Sequence, residues 1–520
     1  MRVQGIYFVV TLITGLVVQL VPHIGWQLEY LPGDLGDTRF NLFILEHGKQ
    51  YFFGEVDNYW SAGFMYPEPE VISLSDNLLG TVPIYAVFRL FGASIFTSFQ
   101  LWTIVLGILN FSSAYALLQK LLKTPLASAL GAYIFAFSVG LAAQMNHAQL
   151  YPRFAIPLSI LYLIIWMEKK RWIYFTFSLS VVVYQFYCGI YLGFMLVIPF
   201  AVVGINYGWR ERKALVAALQ PPRQMMFYAF AIVVNVVGLL VLFLPYIRRA
   251  RTSALFDYSQ IVGSLPTPMS YVSAPPGTLA HEYLVSTTSH YPAFWDHWIF
   301  PGWLALGAFV FVAVRLFVRR TYFQWTPPNR SFVIAGVITW FVFLRWGEAS
   351  LYYFVQLFPG FSAMRSLTRI INIELLFFGL SLGVLVVMLI QKTTVKWRPY
   401  AFLFFLTLLV LDNYVNPESV LRTSKSVFIE RHNEMMAKLE HLSKEEVVSY
   451  EPIEIHEPIA HIQLDVMLAA QALKLKSVNG YSGSAPLGFH RYWVQPNEEN
   501  RLFYFERFER YKLKEVVVIQ

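Results

Sequence analysis

Asp34 and Asp37 stand three residues apart in the run Pro32-Gly33-Asp34-Leu35-Gly36-Asp37-Thr38-Arg39, just beyond an apolar stretch at about residues 6–21. With a glycine between them, both carboxylates can face one cavity at a membrane surface. A carboxylate in that place can take the proton of an attacking hydroxyl, the work of a general base. The pair also suits a divalent cation, Mg2+ or Mn2+, because Mg2+ is commonly held by one or two carboxylates together with substrate phosphate. The other acidic residues of this loop, such as Glu46, Glu55, Asp57, Glu68 and Glu70, read as a solvated surface.

Two further stretches place polar groups where apolar segments turn. Gln144-Met145-Asn146-His147-Ala148-Gln149-Leu150-Tyr151-Pro152-Arg153 is unusually polar for a short connection between two apolar helices. His147 and Gln149 can reach a substrate from such a turn. Arg153 opens the next apolar stretch, where a guanidinium either snorkels to the interface or holds an anion. In Phe358-Pro359-Gly360-Phe361-Ser362-Ala363-Met364-Arg365-Ser366-Leu367-Thr368-Arg369, the two arginines are four apart and are expected on one helix face. Near a helix N-terminus the free N–H groups and the dipole add to such a pair. The result would suit a lipid-linked phosphate or pyrophosphate.

The elements that must position these groups are membrane spans, read from apolar runs of about 17–25 residues. Eleven are expected, near about 4–22, 96–118, 125–143, 151–168, 173–189, 190–207, 225–246, 299–318, 331–346, 366–390 and 399–412. The fifth and sixth nearly merge, with Gly189 marking the turn. Lys120, Lys123, Lys169, Lys170, Arg171, Arg210, Arg212, Lys213, Arg223, Arg319, Arg320, Arg330, Lys392, Lys396 and Arg398 all fall on one side of this arrangement. The positive-inside rule makes that side the cytoplasm, with the N-terminus on it. The other side receives outer loops at about 23–95 and 247–298 and the tail from about 413. Arg248, Arg249 and Arg251 lie on that outer side against the rule, so either they have a local job, such as meeting phosphate, or the seventh span is misplaced.

Two domains follow, a transmembrane domain at 1–412 and an extracytoplasmic tail at 413–520. Residues 38–47 have helical periodicity and are expected as an amphipathic helix along the interface. The tail is charged, helical near 430–442 and strand-like at 446–450 and 516–519, so it reads as a small α/β domain. The Pro-, Ser- and Thr-containing stretch at 264–288 reads as an outer loop with a turn at Pro275-Pro276-Gly277.

Composition fixes the class. The chain has 520 residues, 56% hydrophobic, 17% aromatic and 14% charged, as expected of an all-α polytopic membrane protein. The net charge of +8 lies in short loops beside spans, where it reports topology and not nucleic acid. The apolar N-terminal run lacks a small-residue cleavage site and is expected as a retained span. The single cysteine, Cys188, lies in an apolar run and can make no disulfide within the chain. No Gly-rich phosphate loop follows a strand, which argues against a nucleotide-sugar site.

Gly33-Asp34, Asp37 and Arg39, then Tyr66-Pro67 and Ser75-Asp76-Asn77-Leu78-Leu79-Gly80, resemble the first outer loop of bacterial polytopic GT-C-type glycosyltransferases. The His147 turn, the entries Phe300-Pro301-Gly302 and Pro359-Gly360-Phe361 with Arg365 and Arg369, and Val478-Asn479-Gly480-Tyr481-Ser482-Gly483 are similar to that family too. The resemblance implies transfer of a sugar from a polyprenyl-phosphate or polyprenyl-pyrophosphate donor at the outer face of the inner (cytoplasmic) membrane. The acceptor would be a glycan, lipid or protein.

The family's first-loop acid, a base or part of a metal site, maps onto Asp34 or Asp37. The resemblance implies phosphate binding by Arg365, Arg369 and Arg153, and substrate contacts by Arg39, Tyr66, Asp76, His147 and Gln149. The chain lacks the contiguous acidic pair seen in the family, so which aspartate is the base stays open. An inverting single displacement needs one base and no covalent nucleophile. A lipid or glycan transporter is the alternative from a different class. It would require ionisable residues deep in the spans, of which the sequence has few.

Overall fold

The computed structural model describes residues 2–251, 256–279, 291, 293–318, 326–391, 394–509 and 513–520. Arg319, Arg320, Lys392 and the later part of the expected loop at 264–288 lie outside the described residues.

All eleven expected stretches are helical. Among the described residues seven helices are long and apolar enough to cross a membrane: Gly5–Ile24, Ile95–Leu122, Pro125–Gln144, Ala148–Lys169, Ile190–Arg210, Pro222–Ala250 and Leu367–Ile390. Four shorter helices, Trp172–Cys188, Trp303–Phe317, Pro327–Phe343 and Arg398–Asp412, occupy the remaining positions. Gly189 separates Trp172–Cys188 from Ile190–Arg210, where the turn was expected. The helix Ile95–Leu122 starts where the Ser94 side chain accepts a hydrogen bond from the Thr97 N–H at 3.1 Å, an N-cap that satisfies an otherwise free donor.

The helices Pro125–Phe137 and Ile371–Ile390 form the centre of the bundle, and almost every residue of each is buried. Gly131 and Gly379 face each other so closely that a Cβ on either would strike the other's carbonyl oxygen. Small residues at such a crossing let two backbones touch where lipid offers no hydrophobic driving force.

The tail packs on the loop that follows the first span. Strand Tyr30–Pro32 pairs antiparallel with Arg422–Ser424. A parallel sheet of Lys476–Ser477, Val447–Tyr450 and Val516–Ile519 follows, accompanied by helices Lys425–Leu439 and Ile459–Leu473. Leu31, Phe43, Ile44 and Phe64 share one core with Phe428, Val447, Leu464 and Tyr504 of the tail.

Two expectations change here. The helix over 38–47 runs from Asp37 to Phe52, and most of it is buried, Thr38, Arg39 and Asn41 included. It does not lie along an interface with a polar face in water, because Ile459–Leu473 and Val82–Leu90 both pack on it. Arg365 and Arg369 do not share one regular helix face. The chain is not helical at Met364 and Ser366, and the span opens with a tight turn at Leu367–Ile370. Two of the three arginines expected on the outer side have carboxylate partners. Arg248 pairs with Glu70, and Arg249 with Glu68 at 2.6 Å.

Candidate active site

The turn before the helix Asp37–Phe52 depends on Gly33, whose φ of 89° favours glycine. A Cβ there would also strike Asn146 Oδ1 and Thr38 Oγ1. Asn146 closes this turn from the opposite side. Its Oδ1 accepts the Asp34 N–H at 3.0 Å, and its amide donates to Asp34 Oδ2 at 3.2 Å. Asp34 Oδ1 accepts from the Gly36 N–H at 2.7 Å. Asp34 therefore holds the loop that presents Asp37.

Asp37 begins its helix, where the dipole favours a negative charge. Its Oδ2 lies 2.7 Å from His147 Nδ1, and its Oδ1 accepts the Tyr481 hydroxyl at 2.7 Å. The carboxylate is 23% exposed, so it is guarded yet reachable. Burial pushes its pKa up. The His147 hydrogen bond and charge, the Tyr481 hydrogen bond and the Arg369 charge more than offset that, and the net shift is downward. Burial and the Asp37 charge hold Tyr481 firmly protonated, hence a donor.

Arg369 stands beside this group, and its charge is felt by both Asp37 and Asp76. Its guanidinium lies 5.0 Å from the centre of the Tyr191 ring. Its Nε is buried with no acceptor among the described residues. Arg365 is exposed, its backbone N–H donating to the Tyr191 hydroxyl at 2.9 Å. Asp76 sits beneath, accepting from the Ile190 and Tyr191 N–H groups at 2.5 and 3.4 Å. It thereby fixes the helix start that carries Tyr191. Burial lifts Asp76 to about 6, against the Arg369 charge and the two N–H bonds.

Asp34, Asp37, Asp76, His147, Arg365 and Arg369 thus belong to one cluster, joined through Asn146, Tyr191 and Tyr481. Gln149 stands one layer back. Its Oε1 accepts from Asn41 at 3.0 Å and ties the His147 turn to the helix of Asp37. Three expected residues lie elsewhere. Arg39 is 2% exposed and pairs with Asp465, with further bonds to the Leu35 and His461 carbonyls, so its guanidinium is fully engaged in joining loop to tail. Tyr66 lies against the tail sheet, its hydroxyl accepting the Lys514 N–H at 2.9 Å. Arg153 is buried in a separate cavity.

Sequence reasoning passed over Tyr481, Asn146 and Tyr191 as site residues. Asn146 was adjacent to His147, and Tyr481 lay within the Asn479-Gly480-Tyr481 phrase. Only the packing of the tail on the first loop brings Tyr481 to Asp37.

No family model and no curated protein matches the sequence. Among solved structures, mycobacterial arabinofuranosyltransferase AftD aligns over 87% of this chain with a TM-score of 0.50 and 11% identity. The fold is GT-C-like. The apo Archaeoglobus fulgidus oligosaccharyltransferase aligns over 93% of the chain with a TM-score of 0.49 and 10% identity. The chain spans 29% of the length of the former protein and 61% of the latter. At such identities the likeness is one of fold alone.

Proposed function

We propose that the protein is a membrane glycosyltransferase that moves a sugar from a polyprenyl-(pyro)phosphate donor to a glycan, lipid or protein acceptor at the extracytoplasmic face. The observation that carries this reading is Asp37, held as a carboxylate between His147 and Tyr481 with Arg369 alongside. Asp37 takes the proton of the acceptor hydroxyl as its oxygen bonds to the anomeric carbon. The bond from that carbon to the donor phosphate breaks, and the phosphate leaves with the electron pair. Arg369 and Arg365 hold the charge it gains, as guanidinium groups do with planar sets of oxygens. One base and one leaving group give a single displacement with inversion.

Among the described residues no group of three or more His, Cys, Asp or Glu side chains could hold a metal ion. Both Asp37 oxygens already accept hydrogen bonds. Both Asp34 oxygens do so too, so Mg2+ or Mn2+ held by this pair would use their remaining lone pairs and complete its shell with donor phosphate and water. Such an ion would supply further positive charge to the phosphate.

The test is sugar transfer by the purified protein from a panel of polyprenyl-phosphate and pyrophosphate sugars, with and without EDTA. Transfer that Asp37→Asn abolishes supports the reading, and EDTA sensitivity reports the ion. Lipid binding and movement across liposomes without turnover of any donor would replace it with a transporter.

A further inference from the structure

Behind the turn of Asn146 and His147 lies a cavity of about 50 Å³, lined by Gln19, His23, Thr103, Asn110, Tyr151 and Arg153, among others. Arg153 is 5% exposed, so it does not snorkel into water. Its Nη2 donates to the Ala136 carbonyl at 3.4 Å, and its guanidinium lies 5.3 Å from the centre of the Phe135 ring. Its Nε and Nη1 have no acceptor among the described residues. No Asp or Glu lines the cavity, and no ion pair reaches Arg153 among those residues.

A full positive charge with three N–H bonds open is strongly unfavourable in such surroundings. The space is several times what one water needs, and water alone would satisfy the N–H bonds without meeting the charge. His23 lies near the end of the first span and Arg153 near the start of Ala148–Lys169, while Leu106, Gly107 and Asn110 lie well inside Ile95–Leu122, so the cavity runs from near the span ends into the bundle. Lipid phosphate groups are concentrated at the level of the span ends.

We propose that this cavity binds a phosphate group, free or on a membrane lipid, with Arg153 as its principal ligand. The site is separate from the Arg365 and Arg369 pair and stands whether or not the protein transfers sugars. Met145 lines it, and the next two residues hold Asp34 and Asp37, so occupancy supports the turn behind the candidate base.

The experiment is thermal unfolding of the full chain, delipidated in detergent. One series compares inorganic phosphate with chloride at matched ionic strength. A second compares added phosphatidylglycerol with a phosphate-free galactolipid. A rise of several degrees is expected with phosphate, phosphatidylglycerol or both. A response to the lipid alone makes the membrane the source, and a response to both makes the site open to free phosphate. Arg365→Gln is expected to keep the response and Arg153→Met to lose it. If Arg153→Met does not fold, Gly107→Leu serves instead. It plugs the cavity with Arg153 in place, from a position whose added Cβ meets nothing closer than 3.5 Å. No response in the wild type, or a response kept in the variant measured, overturns the proposal.

Discussion

The Tyr481 hydroxyl donates to Asp37 Oδ1 at 2.7 Å, joining groups 444 positions apart. His147 holds the other oxygen of the same carboxylate. Asp37 is therefore oriented from one side by the turn between two spans and from the other by the tail. A carboxylate held at both oxygens keeps one geometry, as the proposed role of Asp37 as a base requires.

Asp37→Asn is expected to lower transfer by about 100- to 10,000-fold, the usual contribution of a positioned base. Asp34→Asn keeps an acceptor for the Gly36 N–H and should cost far less. Turnover of the two variants side by side decides this, and equal losses would count against Asp37 as the base.

Tyr481→Phe removes one of the bonds that hold Asp37 below its ordinary pKa. The ionised form is the active one, so activity falls as pH drops through the pKa of Asp37. Losing the hydroxyl raises that pKa, and the acid limb of the pH–rate profile should move to higher pH. A profile that merely scales down would mean a structural role only.

Arg369→Lys keeps the charge but loses the guanidinium that lies over the Tyr191 ring. Both Arg369→Lys and Arg369→Gln are expected to reduce kcat/KM for the donor, Gln by more, with little change in KM for the acceptor. Initial-rate kinetics with each substrate varied in turn will show whether the loss follows the donor.

Arg39→Met leaves Asp465 buried with only Arg431 as a cationic partner. Breaking a buried pair by removing one member costs about 3–5 kcal/mol, and the remaining Arg431 contact puts the expected loss near the lower end. The Tm should drop clearly, and Arg39→Lys should not restore it, because the bonds to the Leu35 and His461 carbonyls need the guanidinium fork. A Tm equal to that of the wild type would remove Arg39 from its structural place.

Asp76 has its pKa raised by burial from 3.8 to about 6. Its contribution to stability is whole below pH 3.8 and declines as pH rises through about 6, because the folded state resists the charge. Asp76→Asn keeps an oxygen for the Ile190 N–H and does not titrate. The Tm of the variant minus that of the wild type should grow between pH 4 and pH 7, and a constant difference would contradict the assignment.

The helices were legible because bilayer thickness sets the length of an apolar run, and Gly189 broke one such run where the chain turns. The Asp34 and Asp37 turn was legible through its glycines. Arg365 and Arg369 do not share the helix face expected of them, because four-residue spacing implies a shared face only where the backbone is already helical. Arg39 looked like a site residue by its nearness to Asp37. Along a helix, two residues' separation turns them to different faces, and Arg39 faces the tail.

The sequence by itself determined the membrane class, the places of the spans and the acidic turn after the first of them, because hydropathy and glycine conformations are local properties. The tertiary structure alone decided which groups meet Asp37. Tyr481, His147 and Arg369 arrive from the tail, a turn between spans and the entry to a late span. No local pattern records the packing of helix Asp37–Phe52 beneath the tail, and that packing sets those contacts.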